Sequence, residues 1–134
     1  IEIKPTPGTE ALTGRVVAEH ASRLWDGQRV PPLLSSFRPE ALLAARGAAP
    51  HLPRALLIDS LFEGWFEAAT QLGCAAIVTN YRLMDAALVA KARQAGWRTL
   101  VYTVNEPADA HRLLSLGIDG IITDAVDRFV ASND

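Results

Sequence analysis

Three times along this chain an amphipathic segment ends in a glycine and gives way to a short apolar run that closes on a small polar residue. The runs are Leu72-Gly73-Cys74-Ala75-Ala76-Ile77-Val78-Thr79-Asn80, Ala95-Gly96-Trp97-Arg98-Thr99-Leu100-Val101-Tyr102-Thr103-Val104-Asn105 and Leu116-Gly117-Ile118-Asp119-Gly120-Ile121-Ile122-Thr123-Asp124. Glycine just past a helix is the usual left-handed stop, and short β-branched runs are strands covered on both faces. The pattern is a helix–strand repeat of roughly twenty to twenty-five residues, the period of βα units in a parallel sheet. It predicts strands near 1–4, 33–37, 54–59, 75–79, 98–104 and 120–123, with helices near 10–25, 39–48, 62–72, 83–95 and 107–116. Leu83, Ala87, Leu88, Ala92 and Ala95 recur at helical spacing and give one apolar stripe to lay on a sheet. Pro39 and Pro107 suit first helical turns, and Asn105 is expected to cap the helix that Pro107 opens.

The first residues, Ile1-Glu2-Ile3-Lys4-Pro5, read as the end of a strand running into a turn. Alternation puts Glu2 and Lys4 on one face and Ile1 and Ile3 on the other. On a strand covered on both sides, that places a carboxylate and an ammonium where unpaired charge is expensive. Such a pair usually has a task, and the chain before it is expected to be missing. An exposed strand face carrying a solvated ion pair is the plain alternative.

At 134 residues and 49% hydrophobic content the chain, 1–134, is one domain by length. The formal charge of −2 argues against a broad phosphate-binding surface, so nucleic acid is not an expected partner. No apolar run approaches the roughly twenty residues of a membrane span. The single Cys74 excludes an internal disulfide and reads as a small core residue.

The motifs Ile1-Glu2-Ile3-Lys4-Pro5, Leu33-Leu34-Ser35-Ser36-Phe37, Val101-Tyr102-Thr103-Val104-Asn105 and Gly117-Ile118-Asp119-Gly120-Ile121-Ile122-Thr123-Asp124 together resemble, in order and spacing, the C-terminal part of bacterial glycerophosphodiester phosphodiesterases. The resemblance implies an α/β fold, the C-terminal portion of a (β/α)8 TIM barrel of the phospholipase C-like phosphodiesterase type. It implies hydrolysis of a small glycerophosphodiester to glycerol 3-phosphate and an alcohol, with a divalent calcium or magnesium ion. Carried over residue by residue, Glu2 becomes a metal ligand and Lys4 the catalytic contact to the phosphoryl oxygens. Side chains two apart on a strand stand about 6.6 Å from one another, so both can serve one phosphate.

Phe37 and Tyr102 fall at strand ends and are expected to line the pocket beside the glycerol or alcohol group, with a core role as the alternative. Tyr102 departs from the Trp that many family members carry. Asn80, Asn105 and Asp124 each close a strand and could bond substrate or cap a helix. Asp59 ends a strand too, but no motif supports it as a ligand. The family's His-Arg-Gly segment, second catalytic His and other acidic ligands precede the Glu-x-Lys strand, and none is in this chain. His20, His51 and His111 fall in helices or a loop, away from strand ends, and read as structural or surface residues.

The chain alone is therefore expected to be the inactive C-terminal half of a cytoplasmic enzyme, with a homodimer possible through open sheet edges. Six strands here, added to the family's earlier strands, exceed eight unless one segment is irregular, and Arg54–Asp59 is the candidate. The rival readings are a non-enzymatic α/β interaction module and a barrel acting on phosphoinositides.

Overall fold

The computed structural model describes residues 1–129, so the last five residues of the expected 1–134 unit lie outside the described residues. In chain order the elements are α1 (Glu10–Leu24), β1 (Leu34–Ser36), α2 (Pro39–Ala48), β2 (Arg54–Ile58), α3 (Trp65–Gln71), β3 (Ala76–Asn80), α4 (Ala86–Gln94), β4 (Arg98–Tyr102), α5 (Pro107–Ser115) and β5 (Gly120–Ile121). The five strands form one sheet in the order β1-β2-β3-β4-β5, all pairs parallel. A parallel sheet whose strands follow chain order never reverses its winding direction. Every crossover helix therefore falls on the same side, which is the construction of a barrel wall and not of a doubly wound sheet.

Side-chain partition bears this out. Leu56, Ile58, Ile77 and Val101 pack with helix residues Trp65, Ala69, Leu88, Ala92 and Leu113. Ile3 and Leu34 pack with Ala18, Ala21, Ala41 and Ala45 from α1 and α2. On the opposite, concave face Ala55, Leu57, Ala76 and Val78 bury one another, with Leu33, Leu100 and Tyr102 against them and no helix residue among them. Parallel strands buried on both faces account for the unbroken apolar runs in the sequence.

Element types follow the sequence pattern, with instructive differences. Arg54–Ile58, expected as a strand over 54–59 though the candidate for irregularity, is a strand and the most completely buried of the sheet. Its opening Arg54 is accommodated because the guanidinium donates to the carbonyls of Leu72 at 3.2 Å, Leu52 at 2.8 Å and Pro50 at 3.2 Å. With a further bond from Nη2 to Gly73 O at 3.4 Å, four of its five N–H groups have partners, which is what makes a buried cation tolerable. The expected strand at 1–4 is reduced to a single parallel bridge, Glu2 to Ser35, with Ile3 N donating to Ser35 O at 2.6 Å and Ser35 N to Ile1 O at 2.9 Å. Pro5 has no N–H to continue the ladder.

Helix α4 begins three residues after the expected start because Asp85 caps it, accepting from Leu88 N at 2.8 Å. Helix α3 begins at Trp65, three residues late as well. Asn105 does not cap α5: Glu106 holds the cap position and makes no side-chain cap bond. Instead Asn105 Oδ1 accepts from Thr123 Oγ1 at 3.1 Å and from Asp124 N at 3.0 Å, tying the end of β4 to the end of β5.

The glycines of the repeat stand where the pattern put them. Gly73, Gly96 and Gly117 have φ of 63°, 76° and 78°, directly after α3, α4 and α5. Cys74 is buried as expected, and desolvation pushes its thiol up to about 11. Gly14 has a different task. It lies on the buried stripe of α1 with Ala18 and Ala21, where α1 crosses α2 so closely that a Cβ at Gly14 would overlap the Ala41 carbonyl.

Candidate functional site

The C-terminal ends of the parallel strands converge on one rim, and the side chains that continue the concave face there are polar. Ile3 is buried on the helix side at 2% exposure, so alternation turns Glu2 and Lys4 toward the concave side. Lys4 Nζ lies 3.5 Å from Glu2 Oε2, with the lysine side chain 78% exposed and the glutamate 35%. The pair stands at the strand edge facing solvent, not enclosed between two layers. Exposed ion pairs of this kind contribute little to stability, which leaves both groups free for a ligand.

A groove of about 430 Å³ runs beside this pair, lined by Glu2, Lys4, Pro5, Ser36, Phe37 and Arg38. It holds two cations against one carboxylate, a balance that favours an anion. Arg38, which the sequence reading passed over, reaches the groove because it precedes Pro39 at the start of α2. Ser36 is buried and spoken for, its hydroxyl donating to Ile3 O at 2.7 Å and accepting from Arg38 N at 3.1 Å.

Phe37 and Tyr102, expected from strands far apart in sequence, meet edge to face with ring centroids 5.8 Å apart. Phe37 is 43% exposed, which argues for a wall of the rim and not for core. The Tyr102 hydroxyl donates to Asp59 Oδ1 at 3.1 Å, and Asn80 Nδ2 donates to the same oxygen at 3.1 Å. Burial first, then the hydrogen bond to Asp59 and its charge, then the charge of Glu2, hold the Tyr102 phenol well above its usual range. Tyr102 is therefore a neutral donor at any physiological pH, and Glu2 is close enough to act on it.

Among the strand-end residues the outcome is mixed. Asn80 joins the rim, and Asp59, which no motif singled out, is its hub. The Asn105 side-chain oxygen is taken up by Thr123 Oγ1 and by the backbone N–H of Asp124. The histidines stand away from it: His20 Nδ1 lies 2.9 Å from Val16 O within α1, and His51 Nε2 lies 3.1 Å from Ser22 Oγ. Among the described residues no three His, Cys, Asp or Glu side chains come together as a metal-holding group. Glu2 offers one hard oxygen donor, which suits a single ligand position of calcium or magnesium but does not by itself make a site.

A second cavity, of about 380 Å³, lies at the opposite, N-terminal end of the strands, lined by Val30, Pro31, Leu33, Pro53, Arg98, Leu100 and Asp119 among others. Its carboxylate is already used, since Asp119 Oδ2 accepts from Thr99 N at 2.8 Å and Thr99 Oγ1 at 3.2 Å. That end of a barrel serves stability, and the rim carrying Glu2, Lys4, Phe37 and Tyr102 is where barrel chemistry resides.

This chain belongs to the glycerophosphoryl diester phosphodiesterase family, whose model matches residues 1–128. It is 29% identical over 102 residues to a glycerophosphodiester phosphodiesterase of Bacillus subtilis, an alignment covering 72% of this chain and 34% of that protein. Among solved structures, a phosphodiesterase of Oleispira antarctica in complex with the product sn-glycerol-3-phosphate superposes with a TM-score of 0.81 at 26% identity, over 95% of this chain and 51% of that one. A glycerophosphodiester phosphodiesterase of Thermotoga maritima shares the fold with a TM-score of 0.67 at 23% identity, over 96% of this chain and 54% of that one. The chain thus spans about half the length of the solved relatives, and its five-stranded parallel sheet is part of a (β/α)8 barrel.

Proposed function

We propose that this chain supplies part of the active site of a metal-dependent enzyme that hydrolyses glycerophosphodiesters to glycerol 3-phosphate and an alcohol. The observation that carries the reading is the Glu2 and Lys4 pair on the concave side of the rim, beside the Phe37 and Tyr102 pair, in a chain of this family. A phosphodiester resists attack because its charge repels nucleophiles, so a cation must offset that charge as it builds. Lys4 takes this role, with Arg38 lining the same groove. Phe37 and Tyr102 flank the glycerol or alcohol group. Glu2 contributes one carboxylate to a calcium or magnesium ion, whose chemistry is to neutralise phosphoryl oxygens. The other ligands and the acid–base histidines come from outside the described residues. Salvage of glycerol and phosphate in the cytoplasm is the matching cellular role, and no described helix is long and apolar enough to cross a membrane.

The test is the 134-residue chain itself, assayed on glycerophosphocholine and glycerophosphoethanolamine with calcium or magnesium. Its expected rate is that of buffer, because each missing acid–base group or metal ligand removes orders of magnitude. Release of glycerol 3-phosphate that tracks the protein through purification would refute the division of labour.

The same reading gives the chain a partner. Among the described residues no strand pairs with the outer edges of β5 and of residues 1–3, and closing them with a second copy would satisfy the backbone groups there. The concave face needs less cover than an open sheet would, since curvature already buries Ala55, Leu57, Ala76 and Val78. Sedimentation of the isolated chain is expected to give a concentration-dependent dimer. A 14.5 kDa species that persists at high concentration would count against it.

A further inference from the structure

We propose that Asp59 and Tyr102 form a paired hydrogen-bond acceptor wall that receives the glycerol hydroxyls of the substrate, beside the phosphate held at Lys4. The inference deepens the phosphodiesterase reading above and rests on it. Register sets the geometry: Ile58 pairs with Thr79 and Asn80 with Tyr102, so Asp59, Asn80 and Tyr102 end three adjacent strands at one height on the concave side. Their hydrogen bonds across 21 and 43 residues of chain confirm that they form one layer.

The Tyr102 hydroxyl has one proton, and it goes to Asp59 Oδ1. Asn80 Nδ2 gives one of its two to the same oxygen, while Asn80 Oδ1 accepts from Arg82 N at 3.1 Å, which fixes the amide's orientation. What the layer can still offer is the Tyr102 oxygen as an acceptor, Asp59 Oδ2 as a charged acceptor, and one amide proton of Asn80. Among the described residues no hydrogen bond reaches Asp59 Oδ2. Two acceptors and one donor suit hydroxyl groups, which both give and take. They reject a phosphoryl oxygen, which only accepts and is repelled by the Asp59 carboxylate. Phosphate is thereby left to the groove that Lys4 and Arg38 line, and the polyol to the wall beside it.

Because Asp59 is exposed, removing these bonds should cost the fold little, so a binding defect can be read without loss of structure. The experiment is an NMR titration of the isotopically labelled 134-residue chain with glycerol 3-phosphate and methyl phosphate. Glycerol 3-phosphate is expected to half-saturate at about tenfold lower concentration than methyl phosphate, as one or two net hydrogen bonds would give. It should move the Asn80 side-chain amide, whereas methyl phosphate should move only resonances of Lys4 and Arg38. Tyr102→Phe and Asp59→Asn should each bring the ratio toward one. Equal affinities with Lys4 perturbed, or a ratio that survives both substitutions, would each overturn the glycerol wall and spare the phosphate reading. No perturbation of Lys4 by any phosphate would overturn that reading and the wall with it.

Discussion

Gly14→Ala is expected to destabilise the chain by about 3 kcal/mol, although alanine is the better helix former. Propensity alone favours the substitution by about 1 kcal/mol, since Gly14 lies inside α1. Packing opposes it. The new Cβ would overlap the Ala41 carbonyl oxygen and stand 2.9 Å from Ala41 Cα, and backbone cannot rotate aside as a side chain can. The two helices must separate, loosening the contacts among Ala18, Ala21, Ala41 and Ala45 that also cover Ile3 and Leu34. Overpacking of a close interface costs about 1 to 3 kcal/mol, and more where backbone is the obstacle, so the clash wins over propensity. For a domain of this size the melting temperature should fall by about 10 °C. Gly47→Ala is the internal control: it lies in α2 with nothing within 4 Å of an added Cβ, and should raise stability by about 0.5 to 1 kcal/mol. Denaturant melts of both variants decide the matter, and equal effects would show that α1 and α2 do not meet this closely.

What the sequence disclosed and what it concealed divide along a physical line. Local pattern reports on a residue's own backbone: glycine stops after α3, α4 and α5, proline at the first turns of α2 and α5, and apolar runs buried on both faces in β2 and β3. Alternation on residues 1–4 likewise orients Glu2 and Lys4 without reference to the rest of the chain. Asp59 escaped because its meaning lies in a register that brings it to Asn80 and Tyr102, and no local spacing encodes that height. The one available signal is that Asp59 and Asn80 each end an apolar run of similar length, which parallel strands in sequential order must align. Asn105 was misassigned for a related reason. Beside a proline a helix cap is the local expectation, but Thr123 and Asp124, just past the next strand, offer its oxygen two donors. Gly14 and Arg54 are the same lesson in the core, each decided by a neighbour distant in sequence.

In the intact enzyme, Glu2→Gln is expected to abolish metal-dependent turnover, and Lys4→Ala to slow it by about a hundredfold or more while leaving metal affinity nearly unchanged. Gln keeps the shape of Glu2 but not the charge that a hard divalent ion requires of its ligands. Neither change should unfold the protein, because the pair is exposed and its ion pair contributes little to stability. In the role proposed for it, Lys4 would act on charge that grows toward the transition state, so its loss should fall on kcat more than on KM. A split between the two variants is therefore the informative result: calcium or magnesium titration should show weakened metal activation for Glu2→Gln alone, and wild-type activation with a reduced ceiling for Lys4→Ala. If both variants instead turn over glycerophosphocholine at the wild-type rate, the pair is a solvated ion pair on an exposed strand edge and the site must be sought elsewhere on the rim.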